Sequence, residues 1–258
     1  MILSKNSPAN TKPENKMTHR LRTLFNTAII GSSAILWLFV SGLVAGPFLW
    51  LWPGKKGRNV RKFVYWQSRG ILFCMRMCSS GWKVQKCPRP DAPCIVAANH
   101  ASSLDLYCVA ALGFDNVVYI TKGWVFNLPF FRYVMNGAGY LDAEKTPPEE
   151  MLAKCQDALN NGCDIVLFPQ GSRKNPNARF KSGAFYLAEK IGAPVVPMAI
   201  GGTGEMLPAG SIKLRPAKIV LKSLNAIYPK DFPGELAHLE MARETKNRIM
   251  QSLQEDVK

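Results

Sequence analysis

Cys94–Asp105 reads CIVAANHASSLD, and its two halves follow different rules. Cys94–Ala98 is an unbroken apolar run of strand length, the pattern of a strand buried on both faces. Asn99–Ser103 is small and polar, the composition of turns and helix starts. From Leu104 to Leu112 the apolar spacing turns helical. A buried strand that passes through a polar turn into a helix is the βα step of a sheet covered by helices. Sites in such sheets gather at the carboxyl ends of strands, and that is where His100 falls.

The same grammar recurs along the chain. Asp164–Phe168 (DIVLF) is a strong buried strand stopped by Pro169, and it opens into Gln170-Gly171-Ser172-Arg173. Val117–Thr121, Val195–Ile200 and Lys218–Leu224 read as further strands. Leu128–Met135, Pro148–Asn160, Ser182–Ile191 and Glu235–Leu253 read as helices, with Gly162 and Gly192 as C-cap signals after two of them. No internal repeat is visible. The expected fold is an α/β domain over residues 83–258, a single mixed or parallel sheet covered by helices, preceded by membrane-associated helices.

Upstream, residues 1–23 form a polar basic leader and 24–82 the expected membrane-anchoring helices. No charge occurs between Thr23 and Gly54, a run long enough to span a bilayer and too long for the apolar core of a signal peptide. Gly46-Pro47 is expected to break or kink it, leaving Trp50 and Trp52 as an interfacial belt. Lys12, Lys16, Arg20 and Arg22 precede it, and Lys55, Lys56, Arg58, Arg61 and Lys62 follow. With cations on both flanks, charge sets no orientation, and a helix that dips in and returns fits equally. Val60–Ser79 carries Phe63, Trp66, Gly70, Phe73 and Met77 at helical spacing among arginines. It reads as a helix lying in the headgroup region in preference to one packed on the core.

Composition narrows the partners. The 258 residues are 47% hydrophobic and 20% charged, with a net charge of +15, which is globular and calls for a polyanion. The apolar N-terminal run selects an anionic lipid bilayer, and without zinc-finger spacing or an RNA-binding aromatic signature no nucleic acid is expected. Seven cysteines at irregular spacing, with no C-x-x-C pair, indicate reduced thiols facing a cytosol, with no disulfide framework and no metal site.

Two constellations carry chemistry. His100 can take a proton from an alcohol, and Asp105, about one turn on, can hold the ring in one tautomer. The bland alternative is a helix-capping cluster with a structural histidine. Ser102 and Ser103 do not sit in a G-x-S-x-G elbow, which argues against a serine hydrolase. His19 and His238 fall where catalysis is not expected. In the second constellation Gly171 permits close backbone approach, and Arg173 offers a planar fork for a phosphate or carboxylate, with Lys174, Arg179 and Lys181 nearby.

Taken together, the two resemble the lysophosphatidic acid acyltransferase family of glycerolipid acyltransferases. The family's N-H-x4-D block is met by Asn99, His100 and Asp105. Its F-P-E-G-T-R block is met by Phe168, Pro169, Gly171 and Arg173, with Gln170 for the glutamate and Ser172 for the threonine. Val196–Ile200 matches the following V-P block, and Gly139–Lys145 loosely matches a G-Y-I-x-V-D-R block. The resemblance spans about Cys94 to Ile200. It implies that His100 and Asp105 are catalytic and that Asn99, Lys145, Gln170, Gly171, Ser172 and Arg173 bind substrate. It implies a cosubstrate, acyl-CoA or acyl carrier protein (acyl-ACP), with no cofactor and no metal. The acceptor would be a lysolipid, with 1-acylglycerol-3-phosphate converted to phosphatidic acid on the cytoplasmic face of the inner membrane. Lys145 replaces an arginine and Gln170 an acid, which keeps another acceptor in view: a lyso-ornithine lipid or a lysophospholipid, including by transacylation. A non-catalytic membrane-binding protein of the same fold is the remaining alternative. Phe126, Leu128, Phe130, Phe131 and Tyr133 are candidates for an acyl groove, though such spacing more often marks core.

Overall fold

The computed structural model describes residues 16–51, 56–127, 129–175 and 178–256. Lys12, Trp52, Lys55 and Leu128 lie outside these residues, as do the side chains of Lys16, Trp50, Lys56, Phe130 and Phe131. In chain order the elements are α1 (Lys16–Phe25), α2 (Ser32–Leu51), α3 (Lys56–Cys78), β1 (Gly81–Gln85), β2 (Ile95–Ala98), α4 (Asp105–Ala111), β3 (Val117–Thr121) and α5 (Pro129–Ala138). They continue with β4 (Leu141–Asp142), α6 (Pro148–Asn160), β5 (Asp164–Leu167), α7 (Gly183–Ile191), β6 (Val195–Gly201), α8 (Thr203–Met206), β7 (Lys218–Ser223) and α9 (Ala237–Glu255).

The strands form one seven-stranded mixed sheet in the order β1-β7-β6-β2-β5-β3-β4. Strands β2 to β6 run parallel, β7 is antiparallel to β6, and β1 is parallel to β7. The step β2–α4–β3 moves outward along the sheet, and β5–α7–β6 moves back. Right-handed crossovers therefore put α4 and α7 on opposite faces. The central strands β2 and β5 are buried throughout, as their continuous apolar runs require. Strand β1 has no such run. It is an edge strand with Lys83, Val84 and Gln85 exposed, and it begins two residues before the boundary expected from sequence.

The carboxyl ends of β2, β5, β6, β3 and β4 share one edge of the sheet. Topology therefore puts the site residues expected after β2 and β5 side by side and the one after β4 further along the same edge. The opposite edge is tied by Arg89, whose guanidinium pairs with Asp164 at 2.5 Å and stacks on Phe114. Asp164 also accepts from the Cys94 amide at 3.0 Å. Burial followed by this carboxylate pushes the Cys94 thiol far up, so it stays protonated. All seven cysteines are free.

Met17–Pro47 forms a continuous helix of 31 residues, long and apolar enough to cross a membrane, and its most apolar stretch has no residue buried in the protein. It begins in α1, passes through a π-helical turn at Asn26–Gly31 and continues in α2. The expected break at Gly46-Pro47 does not occur: α2 runs through Pro47 to Leu51. A proline so near a helix end forfeits one backbone bond without ending the helix. Helix α3 packs one face on the core and leaves its other face exposed. Ile71, Leu72, Met75 and Cys78 lie in the core, while Trp66, Phe73 and Met77 face outward with Arg69 and Arg76. Gly70 lets Trp37 of α2 come down on α3, since a Cβ there would lie 2.2 Å from its indole nitrogen. Ser41 and Gln67 bond across the same contact.

Candidate active site

The site begins where β2 ends. Asn99 clamps that end to β6: its amide nitrogen donates to the Ile200 carbonyl and its oxygen accepts from the Ile200 N–H, each at 2.8 Å. The amide thereby serves the scaffold. The chain then turns, and the turn closes on Asp105, the first residue of α4. One oxygen, Oδ2, accepts from the Ala101 N–H at 2.7 Å, the Ser102 N–H at 2.9 Å and His100 Nδ1 at 2.8 Å. An ionised carboxylate only accepts, so Nδ1 carries the hydrogen and the Nε2 lone pair is left for a proton. Asp105 is 0% exposed, and its Oδ1 has no hydrogen-bond partner among the described residues. Beneath it, burial and then the Asp105 charge push the Cys108 thiol well up, so that thiol stays neutral.

The His100 side chain is 16% exposed, sheltered but open on one side. Its ring stacks on Phe168, the residue after β5, with centroids 4.3 Å apart. Adjacent parallel strands thus supply the base and the surface on which it rests. Gln170 locks the two loops together. It is 5% exposed, its Oε1 accepts from the His100 N–H, and its Nε2 donates to the Asn175 carbonyl at 3.3 Å. An acid at this place could also accept from His100, so the amide keeps the strut.

Gly171 has φ +66°, a conformation costly for other residues, and a Cβ would lie 3.2 Å from the Lys181 side chain. Ser172 is exposed and accepts from the Lys174 N–H at 3.2 Å. Arg173 is half-buried, and among the described residues no carboxylate pairs with it. Lys174, Arg179 and Lys181 are exposed around it. Lys145 stands apart. It is exposed in the turn after β4, where its N–H donates to Asp142 Oδ1 at 3.2 Å. Strand β4 is three strands from β2, about 14 Å across the sheet. Lys122, exposed after β3, stands between them. Of the groove candidates, Phe126 packs on the core and Tyr133 is exposed.

Some of the residues that build the site carry no motif. Ser102 is buried, donates from Oγ to the Leu207 carbonyl at 2.8 Å, and accepts from the Leu104 N–H at 3.2 Å. Gly204 admits the turn itself, since a Cβ there would lie 3.0 Å from that of Ala101. Gly202, at φ +82°, would place a Cβ 2.0 Å from the Lys218 carbonyl oxygen. The run Gly201-Gly202-Thr203-Gly204 is a legible signal of close approach, but its partner lies a hundred residues upstream.

Comparison with known proteins bears on the family and the fold. A family model described as acyltransferase matches residues 82–201. A chloroplastic 1-acyl-sn-glycerol-3-phosphate acyltransferase of Brassica napus is 30% identical over 252 residues, which is 94% of this chain and 70% of that protein. Its counterpart in Arabidopsis thaliana is 31% identical over 249 residues, 94% of this chain and 67% of the relative. A Helicobacter pylori protein of the same name is 23% identical over 93% of this chain and 98% of its own length. The crystal structure of the Thermotoga maritima 1-acyl-sn-glycerophosphate acyltransferase PlsC superposes with a TM-score of 0.72 at 23% identity. It covers 92% of this chain and 98% of that one, and shows the same fold.

Proposed function

The chain belongs to the family of 1-acyl-sn-glycerol-3-phosphate acyltransferases and is an O-acyltransferase; we propose that it moves a fatty acyl group from acyl-CoA or acyl-ACP to the free hydroxyl of 1-acylglycerol-3-phosphate, giving phosphatidic acid. The observation that carries this reading is the His100–Asp105 pair, with Nδ1 committed at 2.8 Å and Nε2 left free. The acceptor hydroxyl gives its proton to Nε2 as its oxygen attacks the thioester carbonyl. Asp105 offsets the charge of the imidazolium. The tetrahedral oxyanion collapses, the carbon–sulfur bond breaks, and the leaving thiolate recovers the proton from His100. Backbone N–H groups are the default oxyanion donors, but those of Ala101 and Ser102 already serve Asp105. The chemistry needs no metal and no cofactor beyond the thioester.

Arg173 holds the acceptor's phosphate in this reading, with Lys122 and Lys145 completing the positive rim. A different lysolipid acceptor, such as a lyso-ornithine lipid, rests on Lys145 alone, because Gln170 is engaged with the scaffold. The long apolar helix supports attachment to a bilayer with anionic lipids. We place the catalytic domain on the cytoplasmic face of the inner membrane, which tags at both termini would test. The deciding experiment offers purified enzyme both thioester donors with a panel of lysolipids. Phosphatidic acid as the main product supports the reading, and product only on a phosphate-free lysolipid overturns it.

A further inference from the structure

The segment between α8 and β7 has a part in neither the sheet nor the chemistry, yet it touches both the apolar helix and the catalytic turn. On one side the Leu214 N–H donates to Thr27 Oγ1 at 2.9 Å, and the Leu214 side chain lies 3.3 Å from where a Cβ of Gly31 would stand. These contacts fall on the π-helical turn. On the other side the Arg215 N–H donates to the Met206 carbonyl at 2.8 Å, next to Leu207, whose carbonyl holds Ser102. Between them the loop is tightly turned: the Ser211 N–H bonds the Pro208 carbonyl at 2.9 Å, and the Lys213 N–H bonds Ser211 Oγ at 3.0 Å. This ordered turn holds Ile212 outward at 84% exposure, higher than any described large apolar side chain of the apolar helix. Lys213 and Arg215 are exposed beside it.

A single exposed isoleucine is ordinary on a soluble surface. This one lies two residues from Leu214, which is bonded to a helix that already presents Leu24, Ile29 and Ile35 to the surroundings. Its depth along that helix is also set. Arg22, the last cation before the apolar run, donates to the Ser79 carbonyl at 3.1 Å and pins the helix to the domain. Thr27 lies five residues further on, about 7 Å along the axis. In the membrane reading that depth is the boundary between headgroups and acyl chains, where an apolar side chain flanked by cations is stable.

We propose that the loop 208–215 is a second contact with an anionic lipid surface, Ile212 entering the acyl-chain boundary and Lys213 and Arg215 meeting lipid phosphates. It rests on the membrane reading above and adds that the bilayer bears on a loop bonded to the catalytic turn. The test uses the full chain reconstituted in phosphatidylcholine vesicles with and without phosphatidylglycerol. An Ile212→Cys variant and a Lys230→Cys control at the opposite end of the sheet meet a charged, water-soluble maleimide, with modification read at each position by peptide mass. In anionic vesicles alkylation at 212 should be slower than at 230 by about tenfold, the ratio expected of a thiol that the loop's lipid contact shields from water about nine-tenths of the time. Adding Lys213→Ser and Arg215→Ser should abolish the extra protection that phosphatidylglycerol gives. Equal rates at 212 and 230, with the protein still bound through an alkaline carbonate wash, would overturn the loop proposal alone. Release by that wash would overturn the membrane reading and the proposal with it.

Discussion

Replacing Asp105 by asparagine removes one charge and almost no volume. The distance from Asp105 Oδ2 to His100 Nδ1 is 2.8 Å. At an effective dielectric of roughly 20, a unit pair at that separation is worth about 6 kcal/mol. That energy is available only when the imidazole has taken the acceptor's proton, so it falls on the transition state. An asparagine carbonyl would still accept from Nδ1 and from the Ala101 and Ser102 N–H groups, so part of the loss is recovered. The expected fall in kcat is about 10²–10⁴-fold. KM should stay within about twofold, because a residue buried beneath the histidine contributes to neither substrate's ground-state binding. The new amide NH2 would lie where Oδ1 has no partner, costing about 1–3 kcal/mol of stability. The assay is steady-state transfer to 1-acylglycerol-3-phosphate, with thermal unfolding of both proteins recorded in the same detergent. A folded Asp105→Asn enzyme that loses less than about tenfold in kcat, or whose loss lies in KM, would refute this reasoning.

Gln170→Glu keeps an acceptor for the His100 N–H and should retain activity within about fivefold, whereas Gln170→Ala leaves that N–H unmet in a buried place and should lose tenfold or more, about the rate equivalent of one lost hydrogen bond; parallel transfer assays separate the two. Gly202→Ala combines φ +82° with a Cβ 2.0 Å from a backbone oxygen, so chemical denaturation should show a loss of at least about 2 kcal/mol. At the far end of α9, hydrogen bonds from Lys222 and then Lys83 hold the Asp256 carboxyl below its ordinary range. A carboxyl depressed by folding stabilises above its unfolded titration, and that stability is lost as pH falls through the folded value. Asp256→Asn should therefore lower the melting temperature at neutral pH and differ little from the parent in acid.

The central strands were legible because burial on both faces forces apolar runs, as in Cys94–Ala98 and Asp164–Phe168. Strand β1 was not, because an edge strand with Lys83 and Gln85 exposed leaves no such run. Strand β4 and helix α8 are too short to establish a period. Helix α2 outlasted Pro47 because proline costs one bond, not a helix, in an apolar run. At the site, His100, Asp105, Gly171 and Arg173 announced themselves by residue type and place after a strand. The scaffold did not. Asn99 reads like a ligand-binding amide until its partner Ile200 is seen, and Ser102 reads like a helix cap until it reaches Leu207. Gln170 reads as a change of acceptor chemistry, and its bond to the His100 backbone is not visible in the sequence. Each of these meanings depends on a contact between segments far apart in sequence, which no local pattern encodes.

The most direct test of the account is a single comparison: transfer of a labelled acyl group from its thioester to 1-acylglycerol-3-phosphate by the native enzyme and by His100→Ala, at matched folded fractions. The native enzyme should give phosphatidic acid and the variant should lose at least about 10²-fold in rate, since removing a general base costs that much or more. Near-native turnover by the folded variant would mean that His100 is not the base that takes the hydroxyl proton.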